Sequence, residues 1–194
     1  MAGLCPVDGM MDALGQVEGT FLLWIQEVLR NGITDPILSF YTKLGDHGLL
    51  WIALCLLLLL CPKTRRAGLT GALALAFSLL FTNVIIKHAV ARTRPWLILP
   101  QLIPLVTERD PNSFPSGHTS AAFAAATAFF HTLPWRWAGV TAVVMAAVMA
   151  LSRLYVGVHF PSDVLCGALV GFLCGELAWY IGKRLQEHTE RVYR

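Results

Sequence analysis

The chain has 194 residues, 56% of them hydrophobic and 14% charged, with a mean hydropathy of +0.60. Soluble domains carry about 25% charged residues, so an ordinary water-soluble protein is excluded and a polytopic membrane protein is expected. The net charge of +3 is small and its basic residues are scattered between apolar segments, which gives nucleic acid no concentrated face to bind.

The first 46 residues carry six acidic side chains against Arg30 and Lys43. No cleavable signal peptide is expected, because the extreme N-terminus has no basic n-region and no compact apolar core ahead of a cleavage site. From Leu14 to Leu29, apolar Phe21, Leu22, Trp24, Ile25, Val28 and Leu29 face away from Glu18, Gln26 and Glu27. This is the pattern of an interfacial amphipathic helix. Crossing a hydrocarbon core ~30 Å thick takes about 20 apolar residues. Five segments meet or approach this length: Gly48 to Cys61, Gly68 to Val90, His118 to Leu133, Trp137 to Val158 and Pro161 to Ile181. The first can be lengthened as far back as Pro36.

These elements predict an all-α, polytopic membrane helical bundle of five transmembrane helices, or six, with an N-terminal amphipathic interfacial helix. It is read as one domain, with an interfacial region at 1–46, a catalytic bundle at 47–183 and a cytoplasmic tail at 184–194. The cysteines Cys5, Cys55, Cys61, Cys166 and Cys174 form no CxxC pair and lie mostly in apolar runs. They read as packing residues and not as metal ligands or disulfides.

Orientation follows from the lysines and arginines. Lys63, Arg65, Arg66, Arg136, Lys183, Arg184, Arg191 and Arg194 fall on one side of five alternating helices, and that side is expected to be cytoplasmic. Three polar clusters then fall on the other side: Lys87, Arg94 and Pro95; Pro115 to His118; and Ser152, Arg153, His159 and Asp163. Each ionisable residue alone could be a snorkelling anchor or a helix cap. Their convergence on one membrane face is expected to be functional, since ionisable groups are costly in a bilayer.

The chemistry these residues can perform is phosphoryl transfer. Ser116 is expected to cap a helix whose first N–H groups and positive dipole end bind an anion, with Gly117 allowing close backbone approach. Lys87, Arg94 and Arg153 add fixed positive charge to neutralise the phosphoryl oxygens. His159 precedes Phe160-Pro161, so a helix should end there and another begin, with Asp163 in its first turn. Asp163 could then accept a hydrogen bond from one ring nitrogen of His159 and leave the other as nucleophile. His118 is the natural general acid for the leaving oxygen. His47, His88, His131 and His188 read as interfacial or surface residues, and the role of Arg92 stays open.

The motifs Lys-x6-Arg-Pro (Lys87, Arg94, Pro95), Pro-Ser-Gly-His (Pro115 to His118) and Ser-Arg-x5-His-x3-Asp (Ser152, Arg153, His159, Asp163) contain eleven specified residues. In all of them the chain resembles the type 2 phosphatidic acid phosphatase (PAP2) superfamily. The resemblance implies a metal-independent lipid phosphatase working through a phosphohistidine at His159, with acid/base work by His118. It implies phosphate binding by Lys87, Arg94, Arg153 and the Ser116-Gly117 backbone, without metal or cofactor. Integral-membrane members commonly look like six-helix proteins, whereas here the Leu14 to Leu29 segment replaces the first spanning helix. Small bacterial members resemble undecaprenyl diphosphate phosphatases and phosphatidylglycerophosphate phosphatases. An outward-facing site in the cell membrane favours the former, and the apolar start of the long connection from Trp96 to Phe114 suits a lipid substrate in the bilayer. A lipid phosphotransferase would use the same residues. A vanadium-dependent haloperoxidase would share the anion site but be soluble, and a non-enzymatic lipid transporter would not need His159.

Overall fold

The computed structural model describes residues 6–192. In chain order its helices are α1 (Pro6–Val28), α2 (Thr34–Leu44), α3 (Leu49–Leu59), α4 (Arg65–Ser78), a π-helical stretch (Leu79–Ile86), α5 (Lys87–Val90), α6 (Pro95–Ile98), α7 (Gly117–Thr132), α8 (Arg136–Tyr155) and α9 (Pro161–Val192). Among the described residues there is no strand, only one isolated bridge between Thr93 and Asn112. The protein is all-helical, as its composition and periodicity predict.

α7 lies at the centre of the bundle, packed against α4, α8 and α9. Its small side chains make this possible: Ala122, Ala124, Ala125, Ala126 and Ala128 are fully buried. α9 answers with glycine at every fourth position. A Cβ on Gly167 would stand 2.6 Å from the Ser116 carbonyl oxygen and one on Gly175 2.8 Å from that of Ala124. Without a strong hydrophobic drive between helices in lipid, such close backbone approach is what holds a membrane bundle together. The outward faces are apolar, with Leu57 on α3, Leu69 on α4, Val144 on α8 and Leu165 on α9 all exposed.

Among the described residues, three helices are long and apolar enough to cross a membrane: Arg65–Val90 through the π-helical stretch, Arg136–Tyr155 and Pro161–Arg191. The pair Thr34–Leu44 and Asp46–Leu59, bent by 50°, makes a fourth if it is one span. This is fewer than the five expected. The Gly48 to Cys61 segment is only one limb of that bent pair. The segment starting at His118 is the 16-residue α7, about 24 Å long and shorter than the hydrocarbon core. The tail expected at 184–194 is not separate from the last helix, because α9 runs on to Val192.

The N-terminal segment is helical but sits differently from a helix floating on its apolar face. Leu22 and Ile25 are buried, whereas Phe21, Trp24 and Val28 are exposed. Two of its polar residues turn to the protein: Glu18 is buried, and Gln26 donates to the Gln101 carbonyl and accepts from the Ile103 N–H. The outward side of the helix is mixed, with exposed Gln16, Thr20 and Glu27 beside Phe21, Trp24 and Val28. Leu22 and Ile25 join Leu102, Tyr155, Val156, Val158 and Phe160 in one core, which seats α1 against the corner between α8 and α9.

Candidate active site

The corner between α8 and α9 is set by local sequence. α8 ends at Tyr155, Gly157 takes φ +77, which glycine adopts without Cβ strain, and Pro161 opens α9. His159 is thereby held in the connection, 1% exposed. Asp163, in the first turn of α9, accepts the Phe160 N–H on Oδ2 at 2.8 Å, the third-residue half of a capping box. The same oxygen faces His159 Nδ1 at 3.6 Å. That separation is an ion-pair distance, longer than a hydrogen bond. The other ring nitrogen, Nε2, lies 3.4 Å from Arg94 Nη1. The ring thus has Asp163 behind it and the arginine in front.

The Ser116 N-cap forms as expected, with its hydroxyl oxygen accepting from the Thr119 N–H at 3.5 Å and from the Thr119 hydroxyl at 3.0 Å, and its backbone N–H is given to the Asp163 carbonyl at 3.0 Å. The second bond fastens the start of α7 to that of α9. It also means that the open N–H groups at this helix end are those of Gly117 and His118, not that of Ser116. The His118 ring packs over Gly45, where a Cβ would come within 2.9 Å of it, and its Nε2 lies 2.9 Å from Asp46 Oδ1.

The cationic side chains reach the same place from three elements. Lys87 follows the π-helical stretch, whose wider i→i+5 winding changes which face the later residues present. Arg94 is 2% exposed, gives Nε–H to the Asp110 carbonyl at 2.6 Å and Nη1–H to the Val158 carbonyl at 3.1 Å. Arg153, fully buried on α8, donates to Thr42 of α2 at 2.6 Å and to Glu108. Lys87, Arg94, Gly117, His118 and His159 line one cavity of about 950 Å³. Arg153 stands behind them, reached through Glu108.

Residues 67–187 match the PAP2 superfamily. The chain belongs to the PAP2 superfamily. An undecaprenyl-diphosphatase from Sulfolobus acidocaldarius is 30% identical over 137 residues, 71% of this chain and 65% of that relative, so the chain spans just under two thirds of its length. The structure of LpxE from Aquifex aeolicus superposes with a TM-score of 0.72 at 26% identity, covering 82% of this chain and 92% of that one. A transmembrane PAP2 type phosphatidylglycerolphosphate phosphatase from Bacillus subtilis gives a TM-score of 0.72 at 27% identity, covering 89% and 87%.

All eight residues expected at the site of this PAP2 chain lie at one end of the bundle. Four acidic or hydroxylic partners of theirs were not foreseen: Thr42, Asp46, Glu108 and Asp110. Glu108 bridges the two arginines, contacting Arg153 with Oε1 and lying 3.6 Å from Arg94 with Oε2. Asp110 binds Lys87 at 2.7 Å. Burial alone would push the Glu108 carboxyl up, but Arg153, Arg94 and His118 outweigh it and hold it below the usual carboxylate range. Asp110 is likewise held low against its burial, by the Lys87 hydrogen bond and the Asn112 N–H. Two carboxylates from the Trp96 to Phe114 connection thus occupy the cations that a phosphate would need. The one hint in the sequence was the switch of that connection from apolar to polar at Thr107-Glu108-Arg109-Asp110.

Proposed function

We propose that this chain is a membrane lipid phosphatase that hydrolyses a phosphate monoester or diphosphate through a phosphohistidine on His159, with undecaprenyl diphosphate as the favoured substrate. One observation carries the lipid part of this reading. The cavity that holds Lys87, Arg94, His118 and His159 continues between α3 and α4, past Ile52, Leu56 and Leu59 on one side and Leu75, Ala76 and Leu79 on the other. A phosphate at the charged end would place a hydrocarbon tail along that apolar slot, which a soluble ester could not fill.

In this reading Lys87, Arg94 and the N–H groups of Gly117 and His118 take the phosphoryl oxygens once Glu108 and Asp110 withdraw, and Arg153 is freed to join them. His159 Nε2 attacks phosphorus as the phosphorus–oxygen bond to the leaving group breaks, and His118 gives that oxygen a proton. Asp163 balances the charge that develops on the His159 ring. Water then attacks the phosphohistidine, giving its proton to His118, and the nitrogen–phosphorus bond breaks to release phosphate. Asp46 balances His118 whenever that ring is protonated. The arrangement of lysines and arginines supports an extracytoplasmic site in the cell membrane.

Similarity to the undecaprenyl-diphosphatase of Sulfolobus acidocaldarius favours a polyprenyl diphosphate, and similarity to the phosphatidylglycerolphosphate phosphatase of Bacillus subtilis favours phosphatidylglycerophosphate as the second reading. A side-by-side turnover assay of purified protein on undecaprenyl diphosphate, phosphatidylglycerophosphate and phosphatidate separates them. The expected result is the highest kcat/KM on the diphosphate, release of inorganic phosphate, and loss of both turnover and covalent phosphate labelling in His159→Ala. Transfer of the phosphate to a second lipid would make the protein a phosphotransferase, and labelling of His118 in place of His159 would reverse the two roles.

A further inference from the structure

We propose that Arg92, anchored by Glu18 of the N-terminal helix, is a positioning residue that aims the Asp163 carboxylate at His159. The inference rests on the phosphohistidine reading for its kinetic consequence, and on geometry alone for its structural one.

Arg92 and Arg94 are two residues apart in the extended connection between α5 and α6, and they grip opposite ends of the His159 corner. Arg94 holds the Val158 carbonyl and lies against the His159 ring. Arg92 donates from Nη1 to Ser162 Oγ at 2.7 Å and to Asp163 Oδ1 at 2.8 Å. Its guanidinium lies over the Phe160 ring, 4.1 Å from the centroid, and its Nη2 donates to Glu18 Oε2 at 2.7 Å. Glu18 closes the circuit by accepting the Ser162 N–H on Oε1 at 2.6 Å.

The division of labour on Asp163 is what gives this network a consequence for His159. Oδ1 belongs to Arg92, and Oδ2 belongs to the Phe160 N–H and faces His159 Nδ1. A carboxylate anchored by a planar guanidinium on one oxygen cannot rotate the other away from the imidazole. Asp163 is fully buried, and Arg92 is the cation paired with it, so the pair also keeps a charge inside the protein that would otherwise lack its partner. Arg92 does not line the cavity, so its effect passes through Asp163 and not through contact with substrate.

Glu18 brings in the N-terminal helix. It is 5% exposed and sits on α1, outside residues 67–187 that match the superfamily. A buried acid is costly unless paired. Its two oxygens are satisfied by Arg92 and by the first turn of α9, so docking of α1 and alignment of the His159 corner are one event.

The test uses full-length protein in detergent with a lipid phosphate substrate, comparing wild type with Arg92→Gln, Arg92→Lys and Glu18→Gln, each checked for folding by its thermal transition. Arg92→Gln is expected to lower kcat about tenfold or more and leave KM within about twofold, because ground-state binding is untouched. Arg92→Lys should recover part of the loss, since a lysine restores the charge but not the fork. Glu18→Gln should show the same split to a smaller extent. A readout that needs no turnover is the nitrogen-15 spectrum of the His159 ring, assigned with His159→Gln. The wild type should carry its proton on Nδ1, and Arg92→Gln should shift toward a mixture of tautomers. Folded Arg92→Gln with wild-type kcat, a rise in KM without loss of kcat, or an unchanged ring spectrum would each overturn the proposal. A wild type inactive on every lipid phosphate would overturn the phosphatase reading, and the ring spectrum would still decide this one.

Discussion

At the scale of the residue, the geometry of Glu108 makes it a competitor for the phosphate. It sits between two arginines that together favour a dianion, and it is 18% exposed at the side chain, so it leaves the arginines only at the cost of two ionic contacts. Glu108→Gln removes the charge and keeps the shape. Inorganic phosphate and vanadate should therefore inhibit this variant more tightly than wild type, by about tenfold in Ki, equivalent to about 1.4 kcal/mol. Equal Ki values would mean that Glu108 does not occupy the anion site in solution. The motif residues themselves were legible in the sequence because each is a distinctive type at a fixed spacing. Glu108, Asp110, Asp46 and Thr42 were not, because the three acids lie in connections without periodicity, Thr42 is one hydroxyl on α2, and the partner of each is chosen only when the chain closes.

The α7–α9 contact shows at the scale of elements how the site's frame is held. Gly171 faces Ser120, whose hydroxyl is 2.7 Å from those of both Ser78 and Thr82, so this level of the bundle joins α4, the π-helical stretch, α7 and α9. Gly171→Val would force the two backbones apart at a close-packed crossing. It should lower stability by about 1–3 kcal/mol, read as a fall in the thermal transition in detergent, with a loss of kcat that Gly171→Ala shows less severely. A Gly171→Val protein with wild-type transition temperature would show that the helices can separate without penalty. The helical ends at Ser116 and Pro161 could be read directly, because capping serine and first-turn proline act locally. The 50° bend between α2 and α3 could not. It depends on His47 at φ 53 and Gly48 at φ +73, and a histidine in the left-handed region is not announced by its residue type.

Across the whole molecule, the three helices long enough to span place their catalytic ends together. Lys87 is near the end of Arg65–Val90, Arg153 near the end of α8 and Asp163 at the start of α9, while Arg65, Arg136 and Lys183 lie toward the opposite ends. The proposed orientation, with the basic ends in the cytoplasm, has the cavity opening outward. A cysteine replacing Thr107, in protein whose own cysteines have been replaced, should react with an impermeant thiol reagent on intact cells. Protection until the membrane is broken would put the site on the cytoplasmic side.

Sequence by itself determined the helical class and the apolar segments suited to a membrane, and it singled out eight residues and the chemistry they suit, because hydropathy, motif spacing and helix-end residues are local properties. Tertiary structure alone decided what those residues touch: the carboxylates that hold Lys87, Arg94 and Arg153, the Asp46 partner of His118, and the Arg92 bridge from Glu18 to Asp163. It also turned Glu18 and Gln26 of α1 toward the protein. These side-chain pairs join residues 14 to 74 positions apart, and no local pattern encodes such a pairing. Buried charge must find a partner wherever the fold brings one, and only the closed bundle shows which partner that is.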